Sequence, residues 1–144
     1  PDSVRHLTAL QELHIYQTSI TGAIPDAVQV LASLINLDVP SNFLQGHLPD
    51  GLAGLITCTA LLTANNLLTG SLPHGLLRMA MLERLSVFDN TLRGSIPGAF
   101  CRLSFLADIQ MSGNELQGTI PMLLGLLSLS KIHIRRNLLQ GTVP

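Results

Sequence analysis

The chain has 144 residues, of which 12% are charged and 47% hydrophobic, with a formal net charge of −1. That length supports one domain with a sizeable core, and the near-neutral balance excludes the basic footprint of bulk nucleic-acid or membrane-surface binding. The apolar content excludes a disordered segment. No apolar run reaches the length of a membrane span, since the longest, around Met122–Leu129, is short and contains Ser128.

The hydrophobicity is instead spaced. Leucine alone supplies 30 residues, and Gly22, Gly46, Gly70, Gly94 and Gly118 stand 24 apart, with Gly141 following after 23. Two residues after each glycine comes an aliphatic one (Ile24, Leu48, Leu72, Ile96, Ile120, Val143) and then a proline (Pro25, Pro49, Pro73, Pro97, Pro121, Pro144), with Pro1 in the same phase. The whole chain is therefore repeat, with units 1–24, 25–48, 49–72, 73–96, 97–120 and 121–143 and no separate linker.

In chain order, the first unit carries Thr18 four residues before its glycine, where the later units carry Asn42, Asn66, Asn90, Asn114 and Asn137. The second shows the apolar slots most plainly: Leu31, Leu34, Leu37, Val39, Leu44 and Leu48. The third fills the same slots with Leu55, Cys58, Leu61, Thr63, Leu68 and Leu72, two of them smaller or more polar. The fourth places Leu85–Val87 in the period-two segment, and the fifth has Cys101 just before its first core leucine. The sixth reads Leu126, Leu129, Ile132, Ile134, Leu139 and Val143.

Around Leu37–Val39, Leu85–Val87 and Ile132–Ile134 the alternation predicts a short strand, and stacked copies predict a parallel sheet at about 4.8 Å per repeat. The asparagine amide can donate and accept within the turn that follows, pairing backbone groups a buried bend would orphan; the Thr18 hydroxyl can do part of this. The glycine permits a positive φ or close approach, and the proline removes a donor where the chain turns outward. No unit can bury its own leucines, so each is covered by its neighbours.

The consensus LxxLxxLxLxxNxLxGxIP resembles the plant-specific class of leucine-rich repeat over all 144 residues. The resemblance implies an α/β repeat: a right-handed solenoid with a parallel β-sheet on the concave face and turns or short 3-10 helices on the convex one. Within the class, Leu10–Pro49 is similar to polygalacturonase-inhibiting proteins, through Thr18, the run Gly22–Asp26 and the pair Leu37–Asp38, and the 23-residue unit fits too. The later units resemble receptor-kinase ectodomains equally well. Secretion to the extracellular space and cell wall follows from the resemblance alone. The cysteine-bearing caps of such ectodomains and any Asn-x-Ser/Thr sequon are missing, which reads as an excised or engineered array, with leucine rows left open at both ends.

Catalytic chemistry finds little support. Cys58 and Cys101 are two repeats, roughly 10 Å, apart along the stack, beyond the ~7 Å Cα reach of a disulfide, so Cys58 reads as a core hydrophobe and Cys101 as a free thiol on the outer face. His14 and His133 share a slot but are five repeats apart, too far to share a ligand, and His6, His47 and His74 fall on turns or the outer face. The carboxylates Asp89 and Asp108 lie in adjacent repeats but at opposite ends of the strand segment, without a walled pocket to raise one pKa. No nucleophile–base pair, phosphate loop, metal-ligand spacing or cofactor motif is present; the expectation is a protein that is not an enzyme and holds no metal or cofactor.

The outward-facing positions of the strand segment carry the recognition reading. In the six units they are His14, Asp38, Leu62, Ser86, Gln110 and His133, then Tyr16, Pro40, Ala64, Phe88, Ser112 and Arg135, then Gln17, Ser41, Asn65, Asp89, Gly113 and Arg136. These vary while the leucines hold phase, as befits a rigid scaffold with a variable face. His14, Tyr16, Asp38, Leu62, Phe88, Asp89, Gln110, His133, Arg135 and Arg136 are the expected partner-binding set, with Tyr16, Leu62 and Phe88 as anchors.

Residues 1–72 hold one basic and five acidic groups and residues 73–144 seven basic and four acidic. Lys131, His133, Arg135 and Arg136 then form a basic patch that suits an acidic partner or pectin. The leading expectation is a protein-binding module that occludes a microbial polygalacturonase. The alternative is a receptor-kinase ectodomain segment binding a peptide or co-receptor. A second alternative is ice binding through the residues flanking each glycine (Thr21/Ala23 to Gln140/Thr142).

Overall fold

A computed structural model describes residues 2–142; the phase residues Pro1, Val143 and Pro144 lie outside the described residues. Six three-residue strands form one parallel sheet in sequence order: Glu12–His14, Asn36–Asp38, Ala60–Leu62, Arg84–Ser86, Asp108–Gln110 and Lys131–His133. Register follows the repeat, so Leu13 pairs with Leu37, Leu37 with Leu61, Leu61 with Leu85, Leu85 with Ile109 and Ile109 with Ile132. Each strand is one pleat long. Its central residue points into the coil, and the two flanking residues share the opposite face.

The leucine slots stack into a single core running along the axis, with Leu34, Leu61, Leu85 and Leu106 among its fully buried members. The asparagines bind successive coils together. Asn90, for example, accepts from Leu68 N at 3.0 Å and donates to Thr63 O at 3.1 Å in the preceding coil, and to Val87 O at 3.1 Å and Phe88 O at 3.3 Å in its own. Asn66, Asn114 and Asn137 repeat this pattern one coil at a time. Asn42 does so too, but its Oδ1 accepts from Thr18 N, Ile20 N and the Thr18 hydroxyl. Thr18 thus hangs on the next coil's amide.

The other side of the first five coils holds a short 3-10 helix: Asp2–His6 in the first unit and, after the phase proline, Asp26–Val30, Asp50–Gly54, His74–Arg78 and Gly98–Arg102 in the next four. These helices stack so closely that a Cβ on Gly51 or Gly75 would collide with the carbonyl of Asp26 or Asp50 below it. The sixth unit has no such helix among the described residues. Leu126 N bonds Leu123 O at 2.9 Å as Leu103 N bonds Phe100 O at 3.0 Å, so Leu123 occupies the slot of Phe100. Two steps separate it from Pro121, whereas three separate Phe100 from Pro97. The residue that makes this unit 23 long is missing at the start of the convex segment, and without it the turn bonded to the proline carbonyl cannot close.

The sequence places one sheet; the structure adds two more. Thr21–Gly22, Phe43–His47 and Leu67–Thr69 form a second parallel sheet, and Arg93–Gly94, Glu115–Thr119 and Leu138–Gln140 a third. Bonds from Thr91 N to Leu68 O at 2.9 Å and from Arg93 N to Gly70 O at 2.7 Å continue the ladder between them. The phase glycine lies inside Phe43–His47 and Glu115–Thr119 and at or just after the end of the other four, with φ between 77° and 90° at all six positions. That break in the alternation hides the strand from a period-two reading.

Candidate recognition face

The six-stranded sheet presents the variable positions side by side. Asp38, Leu62 and Gln110 are half-buried there, and Phe88 stands half-buried immediately after its strand. Together with Arg84, Ser86 and Asp108 they line a groove of about 370 Å³ over the middle coils. A larger open space of about 830 Å³ continues over the last coil, bordered on the sheet face by Phe88, Asp89, Gln110, Ser112, His133, Arg135 and Arg136 and wrapping onto the inward-facing Ile120, Ile132, Ile134 and Leu139 at that coil's uncovered side. Phe88 and Gln110 belong to both, so eight of the ten expected recognition residues border one continuous trough. His14 and Tyr16 lie outside it; Tyr16 is 55% exposed on the first coil.

Arg84 is the residue the sequence reading passed over. It flanks Leu85 as Ser86 does, so period two puts both on the same face. The aromatic expectation also needs enlarging. Tyr16 and Phe88 are solvent-facing in some degree, but Phe43 and Phe105 are exposed too, on other surfaces, and only Phe100 is buried among the described aromatics.

Asp89 and Arg136 occupy a slot whose backbone is left-handed in every coil, with φ of 50° to 55° at Gln17, Ser41, Asn65, Asp89 and Arg136 and 67° at Gly113. This turn leads from the strand into the asparagine and leaves most side chains of the row exposed.

The polar groups in the middle of the trough are linked. Gln110 Nε2 donates to Asp108 Oδ2 at 3.0 Å, and Ser86 Oγ donates to Gln110 Oε1 at 3.4 Å. Asp108 Oδ1 and Ser112 Oγ are buried beneath the trough without a partner among the described residues. On the first coil, His14 meets Asp38 Oδ2 at 3.1 Å and Glu12 Oε2 at 3.3 Å. The Asp38 hydrogen bond raises its pKa above the ordinary 6.5; desolvation opposes this, and the weaker Glu12 hydrogen bond adds to the rise. Along the sheet, Glu12 and Asp38 stand on the first two coils, beside His14, and Lys131, His133, Arg135 and Arg136 on the last, with Arg84, Asp89 and Asp108 between; none of the last coil's four basic side chains is ion-paired among the described residues.

Other chemistry is sparse. Cys58 is fully buried, donates to Ala60 O at 3.2 Å, and burial pushes its thiol up to about 11, while Cys101 is partly exposed. Among the described residues no three His, Cys, Asp or Glu side chains are grouped to hold a metal, and no helix is long and apolar enough to cross a membrane. The row flanking the phase glycines is exposed but irregular, and Arg93 in it is tied to Glu115 at 2.9 Å.

Residues 81–103 match the Leucine Rich Repeat family. No curated protein matches the chain in sequence. Among solved structures, the leucine-rich-repeat ectodomain of the plant membrane receptor kinase GASSHO1/SCHENGEN3 from Arabidopsis thaliana, in complex with CASPARIAN STRIP INTEGRITY FACTOR 2, is 33% identical with a TM-score of 0.96, over 99% of this chain and 17% of that one. The Arabidopsis receptor kinase HAESA, in complex with the peptide hormone IDA and the co-receptor SERK1, is 28% identical with a TM-score of 0.95, over 100% of this chain and 24% of that one. The BIR2 ectodomain from Arabidopsis thaliana is 34% identical with a TM-score of 0.82, over 90% of this chain and 68% of that one. The chain spans about a quarter or less of the first two.

Proposed function

This chain belongs to the leucine-rich-repeat family, and on that premise we propose that it is an extracellular recognition module, not an enzyme, which binds an extended peptide or protein segment along the trough of its six-stranded sheet. The observation that carries the reading is the continuity of the trough: Asp38, Leu62, Phe88, Gln110, Arg135 and Arg136 come from five coils and border one open groove. Its two ends differ in charge, with Asp38 at one and Arg135 and Arg136 at the other, and Arg84, Asp89 and Asp108 lie between them. A segment basic at the end that meets Asp38 and acidic at the end that meets Arg135 and Arg136 is the complementary ligand. The likeness to receptor ectodomains crystallised with a peptide hormone and a co-receptor supports this reading over inhibition of an enzyme.

The test is selection from a random peptide library on the immobilised protein. Enriched peptides should carry that charge order and lose at least about tenfold in affinity on Phe88→Ala or on Arg135→Ala with Arg136→Ala. No enrichment, or enriched peptides indifferent to these changes, overturns the reading. The likeness of Leu10–Pro49 to polygalacturonase-inhibiting proteins carries a second reading, occlusion of a microbial polygalacturonase, with pectin as a further ligand of the basic patch. Inhibition of a fungal polygalacturonase that Tyr16→Ala abolishes would support it, and undiminished pectin cleavage at micromolar protein would sink it.

A further inference from the structure

The row that follows the inner strands carries side chains of very unequal size. Ala64, Phe88, Ser112 and Arg135 hold the same position in four successive coils. The backbone fixes that equivalence: Ser41 N bonds Ala64 O, Asn65 N bonds Phe88 O, Asp89 N bonds Ser112 O and Gly113 N bonds Arg135 O, all at 2.9 to 3.0 Å. A phenylalanine set between an alanine and a serine makes a ridge across the trough. The groove over Ala64 lies on one side of it and the space over Ser112 on the other, and Phe88 borders both.

The two sides differ in chemistry. Beside Ala64 the groove is walled by the apolar Pro40, Leu62 and Phe88, with the charged Asp38, Arg84 and Asp108 around it. Beside Ser112 stand His133, Arg135 and Arg136, none ion-paired among the described residues. The acid bordering that side is Asp89, whose carboxylate lies over Gly113, where a Cβ would collide with it. The first side suits an apolar side chain and the second an anionic one. Their spacing selects the backbone that can deliver both. Ala64 and Ser112 are two coils apart, about 9.6 Å. In a β-strand, side chains on one face recur every two residues, about 6.6 Å and then about 13 Å, and miss that distance. A polyproline-II segment turns once in three residues and rises about 9.3 Å in doing so, which brings residues i and i+3 to the same face at the required separation.

Resting on the peptide-binding reading of the trough, we propose that the ligand crosses the Phe88 ridge as a polyproline-II segment, with an apolar side chain at i over Ala64 and an acidic one at i+3 over Ser112. The probes are acetylated, amidated peptides without terminal charge, centred on Leu-Pro-Pro-Glu. They are compared with peptides having one or three prolines between Leu and Glu and with Leu-Gly-Gly-Glu, each in both chain orders, by calorimetry on the whole chain. In one chain order the two-proline peptide should bind at least about tenfold more tightly than the one- and three-proline peptides, and more tightly than the glycine peptide. Phe88→Ala should flatten that spacing preference as well as weaken binding. Asp89→Asn, at an exposed position, should tighten binding of the two-proline peptide by removing a like charge, and reads the same site where Phe88→Ala fails to fold. Equal affinity at all three spacings, a preference that survives Phe88→Ala, or weaker binding in Asp89→Asn overturns the proposal. Failure of every designed peptide while library-selected peptides bind the trough also overturns it but leaves peptide recognition standing; failure of both overturns both.

Discussion

The middle coils and the outermost ones carry the same residues in the same slots and bury them very differently. Leu37, Leu61, Leu85 and Ile109 are at most 3% exposed, whereas Ile132, paired with Ile109 in the same register, is 39% exposed and Leu13 only half-buried. The contrast separates what a unit contributes from what its neighbours contribute. A leucine in this architecture has no burial of its own; it acquires it from the coil above and the coil below.

The sharpest way to break that comparison is to truncate matched residues. Leu61→Ala should cost about 2–5 kcal/mol through lost burial and the cavity left behind, while Ile132→Ala costs under about half of that; urea midpoints of the two variants are the measurement. Equal losses would mean the ends are covered as well as the middle. Next comes the asparagine ladder. Asn90→Ala orphans Leu68 N and removes one of two donors from the Thr63 and Val87 carbonyls, which keep Asn66 and Asn114; at about 1–3 kcal/mol for a buried unpaired group the expected loss lies in that range. Asn137→Ala, at the less buried end, should lose clearly less, and amide exchange at Leu68 and Leu116 reports each site separately.

A smaller effect of opposite sign is expected at Thr63. It occupies the core slot of Val39 and Val87, fully buried, with a hydroxyl that has no partner among the described residues. Thr63→Val should stabilise the chain by roughly 1 kcal/mol, read as a raised urea midpoint. The smallest effect concerns His14. Its pKa is raised in the folded state by Asp38 and Glu12, so the contribution of the contact is present in full below the unfolded value near 6.5 and is lost as pH rises through the folded value. The imidazole titration followed by NMR should shift down in Asp38→Asn, and a midpoint unmoved by that change would remove the contact from the account.

The sequence shows a great deal of this molecule because repetition converts spacing into position. The inner strands and the leucine slots can be read from Gly22 to Gly141 by arithmetic, and the chemistry of one amide already indicates that Asn42 to Asn137 must pair a bend. Three features escape for physical reasons. The outer strands are interrupted by a glycine with positive φ, as in Phe43–His47, or stop at it within two or three residues, so they show no alternation. The absent helix of the sixth coil depends on where a single residue is missing, which only the hydrogen bonds of Leu123 and Leu126 locate. The exposure of Phe105 depends on turn geometry that composition does not carry. On the recognition face, Leu62, Phe88 and Gln110 are legible as a row, but their joining into one trough with Arg84 comes from register across coils.

The left-handed turn before each asparagine has a further consequence. A non-glycine residue there costs on the order of 1 kcal/mol, less for Asn65 and Asp89, whose short polar side chains tolerate it. Glycine would relieve that cost in every coil, yet among the six positions it occurs only at Gly113. A chain made steadier by five more glycines would lose a row of five side chains, four of them at the edge of its trough. Diversity at that edge and strain in the backbone are the same property, and a stabilised version of this scaffold would be a blanker one.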